Sequence, residues 1–202
     1  MSRGLLVDFG GVLTTNVFES FRAFAKAEGL DEDAVKREFR SRGEGLALLR
    51  QLERGELTVE EFEPKFGTVL GVRETDGMVQ RLFAGVGPDE AMIGAVRRAR
   101  ESGVPTGLIS NSWGGTSYDK VVIDELFDAV VISGDVGLHK PEPEIFHLGA
   151  ERLGVPPEEC VFVDDLRENC EGAEAVGMTA ILHRGADSTL PELERLLGLE
   201  LG

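Results

Sequence analysis

Apolar residues recur along this chain with two different periods. Leu5-Leu6-Val7, Thr106 to Ser110, Ala129 to Ser133, Cys160 to Asp164 and Thr179 to His183 are short, mainly apolar runs bounded by glycine or polar residues. Such runs predict buried strands. Helical stretches separate the later runs, at about 117 to 126, 143 to 154, 167 to 177 and 189 to 199. One more helix begins at Pro88-Asp89-Glu90, with proline early and acids where the helix dipole favours them, and runs to Ser102-Gly103. Strand and helix alternation with short loops predicts an α/β fold, a five-stranded parallel sheet with helices on both faces.

Residues 15 to 86 follow the other period. Phe18, Phe21, Phe24 and Ala25 share one helical face, as do Leu46, Leu49 and Leu52, then Phe62, Phe66, Val69 and Leu70, then Val79, Leu82 and Phe83. Thr58 followed by Glu61 predicts a capping box opening the third of these helices. The pattern is therefore a four-helix unit inserted after the first strand. The predicted domains are a core of residues 1–14 and 87–202 and a helical cap of residues 15–86. The cap reads as a lid over the ends of the strands, with a packing or dimerisation unit as the alternative.

Composition narrows the partners. The chain has 202 residues, with 21 basic against 37 acidic side chains and a net charge of −16. That balance argues against nucleic-acid and anionic-membrane partners, and it repels anionic substrates unless local positive charge or a metal intervenes. No apolar run approaches membrane-spanning length. Two cysteines and no signal peptide predict a reducing, cytoplasmic setting. Oligomeric state is not legible.

The chemistry gathers just after four of the five strands: Asp8, then Ser110-Asn111, then Lys140-Pro141, then Asp164-Asp165 with Asn169 one helical turn on. Ligands of a parallel sheet sit beyond the carboxyl ends of its strands. Singly, each group has a plain reading, as a helix cap or a solvated side chain. Together they bring three carboxylates, a hydroxyl, an amide and an ammonium to one end of one sheet. The acids would repel each other unless a cation joined them, and oxygen ligands open to water suit Mg²⁺, which shares phosphate oxygens with its substrates. Asp8 is then a candidate nucleophile for phosphorus, forming an aspartyl phosphate, with Ser110, Lys140 and backbone amides near Gly11 holding the phosphoryl oxygens.

These residues resemble the haloacid dehalogenase superfamily, in the subfamily I branch with a helical cap after the first strand. All four of its motifs occur in order, as Asp8 to Thr14, Ser110-Asn111, Lys140 and Val163-Asp164-Asp165. The resemblance implies a Rossmann-like three-layer fold with sheet order 5-4-1-2-3. It implies Asp8 as nucleophile and metal ligand, the Gly10 carbonyl and Asp165 as further ligands, and Asp164 as holder of a metal-bound water. Ser110 and Lys140 would bind the phosphoryl group, with Asn111 and Asn169 in support. The activity implied is a Mg²⁺-dependent phosphatase of a small phosphorylated metabolite, a sugar phosphate among the candidates.

One position departs from the family pattern. Its phosphatases usually place a second aspartate two residues after the nucleophile, as general acid and base, and here that residue is Gly10. General acid–base catalysis contributes about 10² to 10⁴ in rate, so anomeric or acyl phosphates, with good leaving groups, would suffer least. Glu44 is a candidate substitute acid, although a solvated role is the plainer reading. Two alternatives stay open: a metal-free 2-haloacid dehalogenase, which the Asp164-Asp165 pair disfavours, and a non-catalytic phospho-ligand or protein-binding module, which Gly10 favours. Candidate specificity residues are Thr15, Asn16, Phe18, the Glu44-Gly45 loop and Trp113, the last either lining the pocket or packing beneath the cap. His139, His147 and His183 lack metal-ligand spacing and read as structural or solvated, with a substrate contact by His139 as an alternative.

Overall fold

The computed structural model describes residues 4–113 and 120–202. Strand β1 (Gly4–Val7) leads into five helices, α1 (Val17–Ala27), α2 (Ala34–Arg40), α3 (Glu44–Glu53), α4 (Val59–Leu70) and α5 (Met78–Leu82). There follow α6 (Glu90–Glu101), β2 (Thr106–Ser110), α7 (Lys120–Leu126), β3 (Ala129–Ile132), α8 (Ser133–Val136) and α9 (Pro143–Leu153). A 3₁₀ turn (Pro157–Glu159), β4 (Cys160–Asp164), α10 (Arg167–Ala175), β5 (Thr179–Leu182) and α11 (Ala186–Leu197) complete the chain. The five strands are parallel, in the order β3-β2-β1-β4-β5, which is the expected order read from the opposite edge.

Alternation along the strands sorts the core into two layers. Leu5 and Val7 of β1 pack with Met92 and Val96 of α6, Leu126 of α7 and Leu193 of α11. Leu6, between them, points the other way and packs with Ile145 and Phe146 of α9 and Ala173 of α10. All residues of β1, β2 and β4 are buried, as expected for central strands covered on both faces. Cys160 and Cys170 are buried free thiols. No helix among the described residues is long and apolar enough to cross a membrane.

The inserted helices have a core of their own, rich in phenylalanine. Phe39 stacks on Phe66 with ring centroids 4.8 Å apart, and Phe66 on Phe62 at 5.0 Å. Phe21, Phe24, Leu52, Met78 and Leu82 close around them. Each fully buried side chain of this kind contributes about 1.5–3 kcal/mol. The predicted capping box is present: Thr58 Oγ1 accepts from Glu61 N at 3.3 Å, and Glu61 Oε2 accepts from Thr58 N at 3.0 Å.

The unit contains five helices rather than the four expected. The additional one, α2, buries only Val35 and Phe39, and the charged residues Lys36, Arg37, Glu38 and Arg40 between and beside them dilute its period. Smaller differences lie at element ends. Strand β3 stops at Ile132 because Ser133 opens the short helix α8, and α11 begins three residues before its expected start, at Ala186. The first residues of the helix expected at 117 to 126 lie outside the described residues.

Entry to and exit from the insertion run side by side. Thr15 N donates to the Gly87 carbonyl at 2.8 Å, Gly87 N donates to Thr15 Oγ1 at 3.1 Å, and Asp89 N donates to the Leu13 carbonyl at 2.9 Å. An isolated antiparallel bridge joins Thr14 to Pro88 at the same neck.

Candidate active site

Sheet register assembles the acids. Val7 of β1 pairs with Val163 of β4, so Asp8 and Asp164, the next residue of each strand, leave the sheet beside one another. Asp8 N donates to the Val163 carbonyl at 2.9 Å, which fixes that alignment one residue past the last pair. One ligand oxygen each from Asp8, Asp164 and Asp165 lies within 4.8 Å of the others. Such crowding of carboxylates is unfavourable without cations.

One cation is supplied by the chain. Lys140 is 1% exposed, and its Nζ stands 2.7 Å from Asp8 Oδ1, 2.7 Å from Asp164 Oδ2 and 2.8 Å from the Ile109 carbonyl. An ammonium has three N–H donors, and these three acceptors use them all. Two buried carboxylates and a carbonyl thus enclose the Lys140 ammonium beside Asp8. Asp164 is fully buried, and besides Lys140 its oxygens accept from Leu166 N at 2.8 Å and from Asn169 Nδ2 at 3.0 and 3.1 Å. It anchors Lys140 and the start of α10 rather than facing outward, while Asn169 supports it.

Asp8 and Asp165 line a cavity of about 1480 Å³ between the strand ends and the inserted helices. Burial pushes Asp8 up to about 6; Lys140 pulls it down and Asp164 adds to the rise. Burial likewise pushes Asp165 up to about 7, reinforced by Asp8 and Asp164. For Lys140, burial alone would lower the value, but Asp164 and Asp8 outweigh it and hold the ammonium above its ordinary range. Three carboxylates thus share one ammonium in a poorly solvated site, and an all-oxygen donor set of that kind fits a hard divalent cation such as Mg²⁺. Asp8, Asp165 and the backbone of Gly10, which also lines the cavity, are the groups placed to hold it.

The glycines behind Asp8 have distinct roles. Gly11 has φ of +77°, and a Cβ there would stand 2.7 Å from Asp165 Oδ2. Its amide donates to Thr14 Oγ1 at 2.9 Å, so Gly11 makes room for Asp165 rather than offering a donor to a ligand as expected. At Gly10 a Cβ would meet only Val17 Cγ1, at 3.8 Å.

Ser110, Asn111, Phe18 and Trp113 all border the cavity, so both expected placements of Trp113 hold, since its ring also lies 5.0 Å from that of Phe83 and 5.3 Å from that of Phe39. Thr15 and Asn16 do not border it. Thr15 is spent on the neck, and Asn16 caps α1 by accepting from Phe18 N at 2.9 Å. Glu44 is exposed at the start of α3, away from the cavity; Leu49 and Glu53 face it from that helix instead.

Two cavity residues, Arg184 and Glu53, escape the sequence reading. Arg184 follows β5 and donates to the Asp165 carbonyl at 3.0 Å; the rule that strand ends carry the chemistry applies to its loop as to the other four. Glu53 and His139 meet across the cavity wall, with Glu53 Oε2 2.6 Å from His139 Nε2. His139 is thus neither solvated nor isolated. His183 is also buried, with Nδ1 2.9 Å from Thr189 Oγ1.

Known proteins resemble this chain in sequence and in fold. The chain is 28% identical over 98% of its length to mouse acyl-CoA dehydrogenase family member 10, of which it spans 19%. It is 36% identical over 51% of its length to a glyceraldehyde 3-phosphate phosphatase of Methanopyrus kandleri, covering 46% of that protein. The fold matches an HAD family enzyme of Bacteroides thetaiotaomicron, solved in complex with magnesium and inorganic phosphate, with a TM-score of 0.65 and 24% identity over 90% of this chain and 93% of that one. A family model for haloacid dehalogenase-like hydrolases matches residues 3–177, and the chain belongs to that family.

Proposed function

We propose that this protein is a Mg²⁺-dependent phosphatase of a small phosphorylated metabolite, acting through an aspartyl phosphate on Asp8. The observation that carries this reading is the clustering of Asp8, Asp164 and Asp165 at the strand ends, the first two paired with one buried ammonium. The phosphatase relative and the fold match to an enzyme holding magnesium and phosphate support it. Bound at Asp8, Asp165 and the Gly10 carbonyl, the cation would neutralise the acids and withdraw charge from the phosphoryl oxygens.

The chain's own groups do the rest. Lys140 keeps Asp8 ionised and fixes its orientation, and Asp164, held by Asn169 and Leu166 N, fixes Lys140. Asp8 attacks phosphorus in line with the leaving oxygen, and Ser110 and Asn111 border the space in which the transferred group rests. The inserted helices serve as a cap that excludes water and supplies the wall against the substrate body. A sugar phosphate is the first substrate to try.

The test is phosphate release from sugar phosphates, acyl phosphates and p-nitrophenyl phosphate, with Mg²⁺ or EDTA, by the wild type and Asp8→Asn. Release that needs Mg²⁺ and vanishes in Asp8→Asn is expected. No release from any substrate would leave the binding-module reading that Gly10 favours, and EDTA-insensitive chloride release from 2-chloroacids would replace phosphatase by dehalogenase.

A further inference from the structure

Gly10 leaves the proposed reaction without a group to protonate the departing oxygen. Outside the Asp8 cluster, the described cavity lining holds four other acids, Glu53, Glu60, Glu63 and Glu168. Glu60 and Glu168 are exposed. Glu63 is buried but occupied, accepting from Gly77 N at 3.0 Å and Val79 N at 2.8 Å. Glu53 is buried and faces a titratable partner, His139, itself 8% exposed.

The hydrogen bonds around His139 define a proton with two homes. Asn111 is fixed in orientation because its Oδ1 accepts from Lys140 N at 3.0 Å and its Nδ2 donates to the Lys140 carbonyl at 3.2 Å. That same Nδ2 stands 3.0 Å from His139 Nε2, while Glu53 Oε2 stands 2.6 Å from it. A ring nitrogen carries either a lone pair or a proton. With the lone pair there, Asn111 donates to it and Glu53 must hold the proton. With the proton there, Glu53 accepts as a carboxylate and the second Asn111 hydrogen loses its partner. One short proton movement interconverts the two arrangements.

The pair is also firmly placed. Glu53 lies at the end of α3, and its backbone carbonyl accepts from Ser133 Oγ, which in turn accepts from Ser112 N at 2.8 Å. His139 adjoins Lys140 in sequence, and Asn111 joins the two, so the pair is linked to Asp8 through three consecutive contacts.

We infer that Glu53 and His139 together supply the proton that a carboxyl at position 10 would otherwise supply. This rests on the phosphatase reading. As the bond from phosphorus to the leaving oxygen breaks and that from Asp8 to phosphorus forms, the electron pair stays on the leaving oxygen and the pair's proton passes to it. Water then attacks phosphorus, which breaks the bond to Asp8 and releases phosphate; the proton shed by that water passes to solvent, and the pair regains its own proton from solvent before the next turnover.

The experiment compares wild type, Glu53→Gln and His139→Gln, each with and without Gly10→Asp, on p-nitrophenyl phosphate and on an alkyl phosphate. In the single variants kcat on the alkyl ester is expected to fall about 10²-fold or more, while the nitrophenyl ester, whose leaving group needs no proton, changes less than about threefold. Gly10→Asp is expected to restore the alkyl ester in both backgrounds, a rescue that a structural role would not show. Equal losses on the two esters, no loss, or no rescue, in a protein whose Asp8-dependent release from nitrophenyl phosphate persists, would overturn the inference and leave the phosphatase reading standing. Wild type inactive on every ester would overturn both. Should Glu53→Gln not fold by circular dichroism, the His139→Gln arm decides the matter by the same criteria.

Discussion

Gly11 and Asp165 interlock: a side-chain carbon on the glycine would occupy space 2.7 Å from the aspartate's Oδ2. The left-handed backbone at Gly11, φ +77°, adds about 1–2 kcal/mol for any other L-residue. Gly11→Ala is therefore expected to lower stability by at least that amount and to weaken Mg²⁺ binding, because Asp165 must move. Gly10→Ala, one residue earlier, meets nothing closer than 3.8 Å and is expected to melt where the wild type does. Calorimetric Mg²⁺ titration and thermal melts of the two variants check this, and unchanged affinity in Gly11→Ala would contradict it.

Lys140 is the counter-charge of two buried acids, so its removal should be felt by the whole fold. Removing one partner of a buried ion pair costs about 3–5 kcal/mol. Lys140→Met is expected to lose stability in that range by urea denaturation, and Asp164→Asn in the same chain is expected to recover part of it. A second substitution that merely adds its own loss would mean that the two groups are not coupled.

Metal dependence and pH dependence should be linked. With Asp8 at about 6 and Asp165 at about 7, both above the unfolded carboxylate near about 4, the folded chain holds more protons than the unfolded chain between those limits. In EDTA, the contribution of these acids to stability is expected to fall as pH rises from about 4 to about 7 and then level off. Protons compete with Mg²⁺ for the same oxygens, so the gain in Tm on adding Mg²⁺ is expected to grow across that window. Asp8→Asn should flatten the dependence. Melts at pH 5, 6, 7 and 8 with and without Mg²⁺ measure it, and a Mg²⁺ shift independent of pH would refute the link.

The sheet was legible because each strand is a short apolar run that ends on, or is followed directly by, a polar residue, and parallel pairing then sends all those polar ends to one side. Asp8, Ser110 and Asp164 needed nothing more. The helix α2 was not legible, since two buried side chains among charged ones carry too little period. Nor was the Glu53–His139 contact, because its partners are 86 residues apart and meet only when the insertion folds back on the core. What Lys140 touches was equally hidden: sequence places an ammonium near the acids, but only packing decides that three acceptors enclose it.

The neck between Thr15 and Gly87 has a consequence for how such a protein could have arisen. Since the outgoing and returning strands of backbone are hydrogen-bonded to each other, the sheet experiences the whole helical excursion as if it were a tight turn. Closing a loop costs little more when the loop is long, and chain ends that lie together tolerate insertion. The excursion is thus exchangeable: another folded segment with adjacent ends could be spliced at the same junction, changing what the cavity admits while leaving the strand-end chemistry in register.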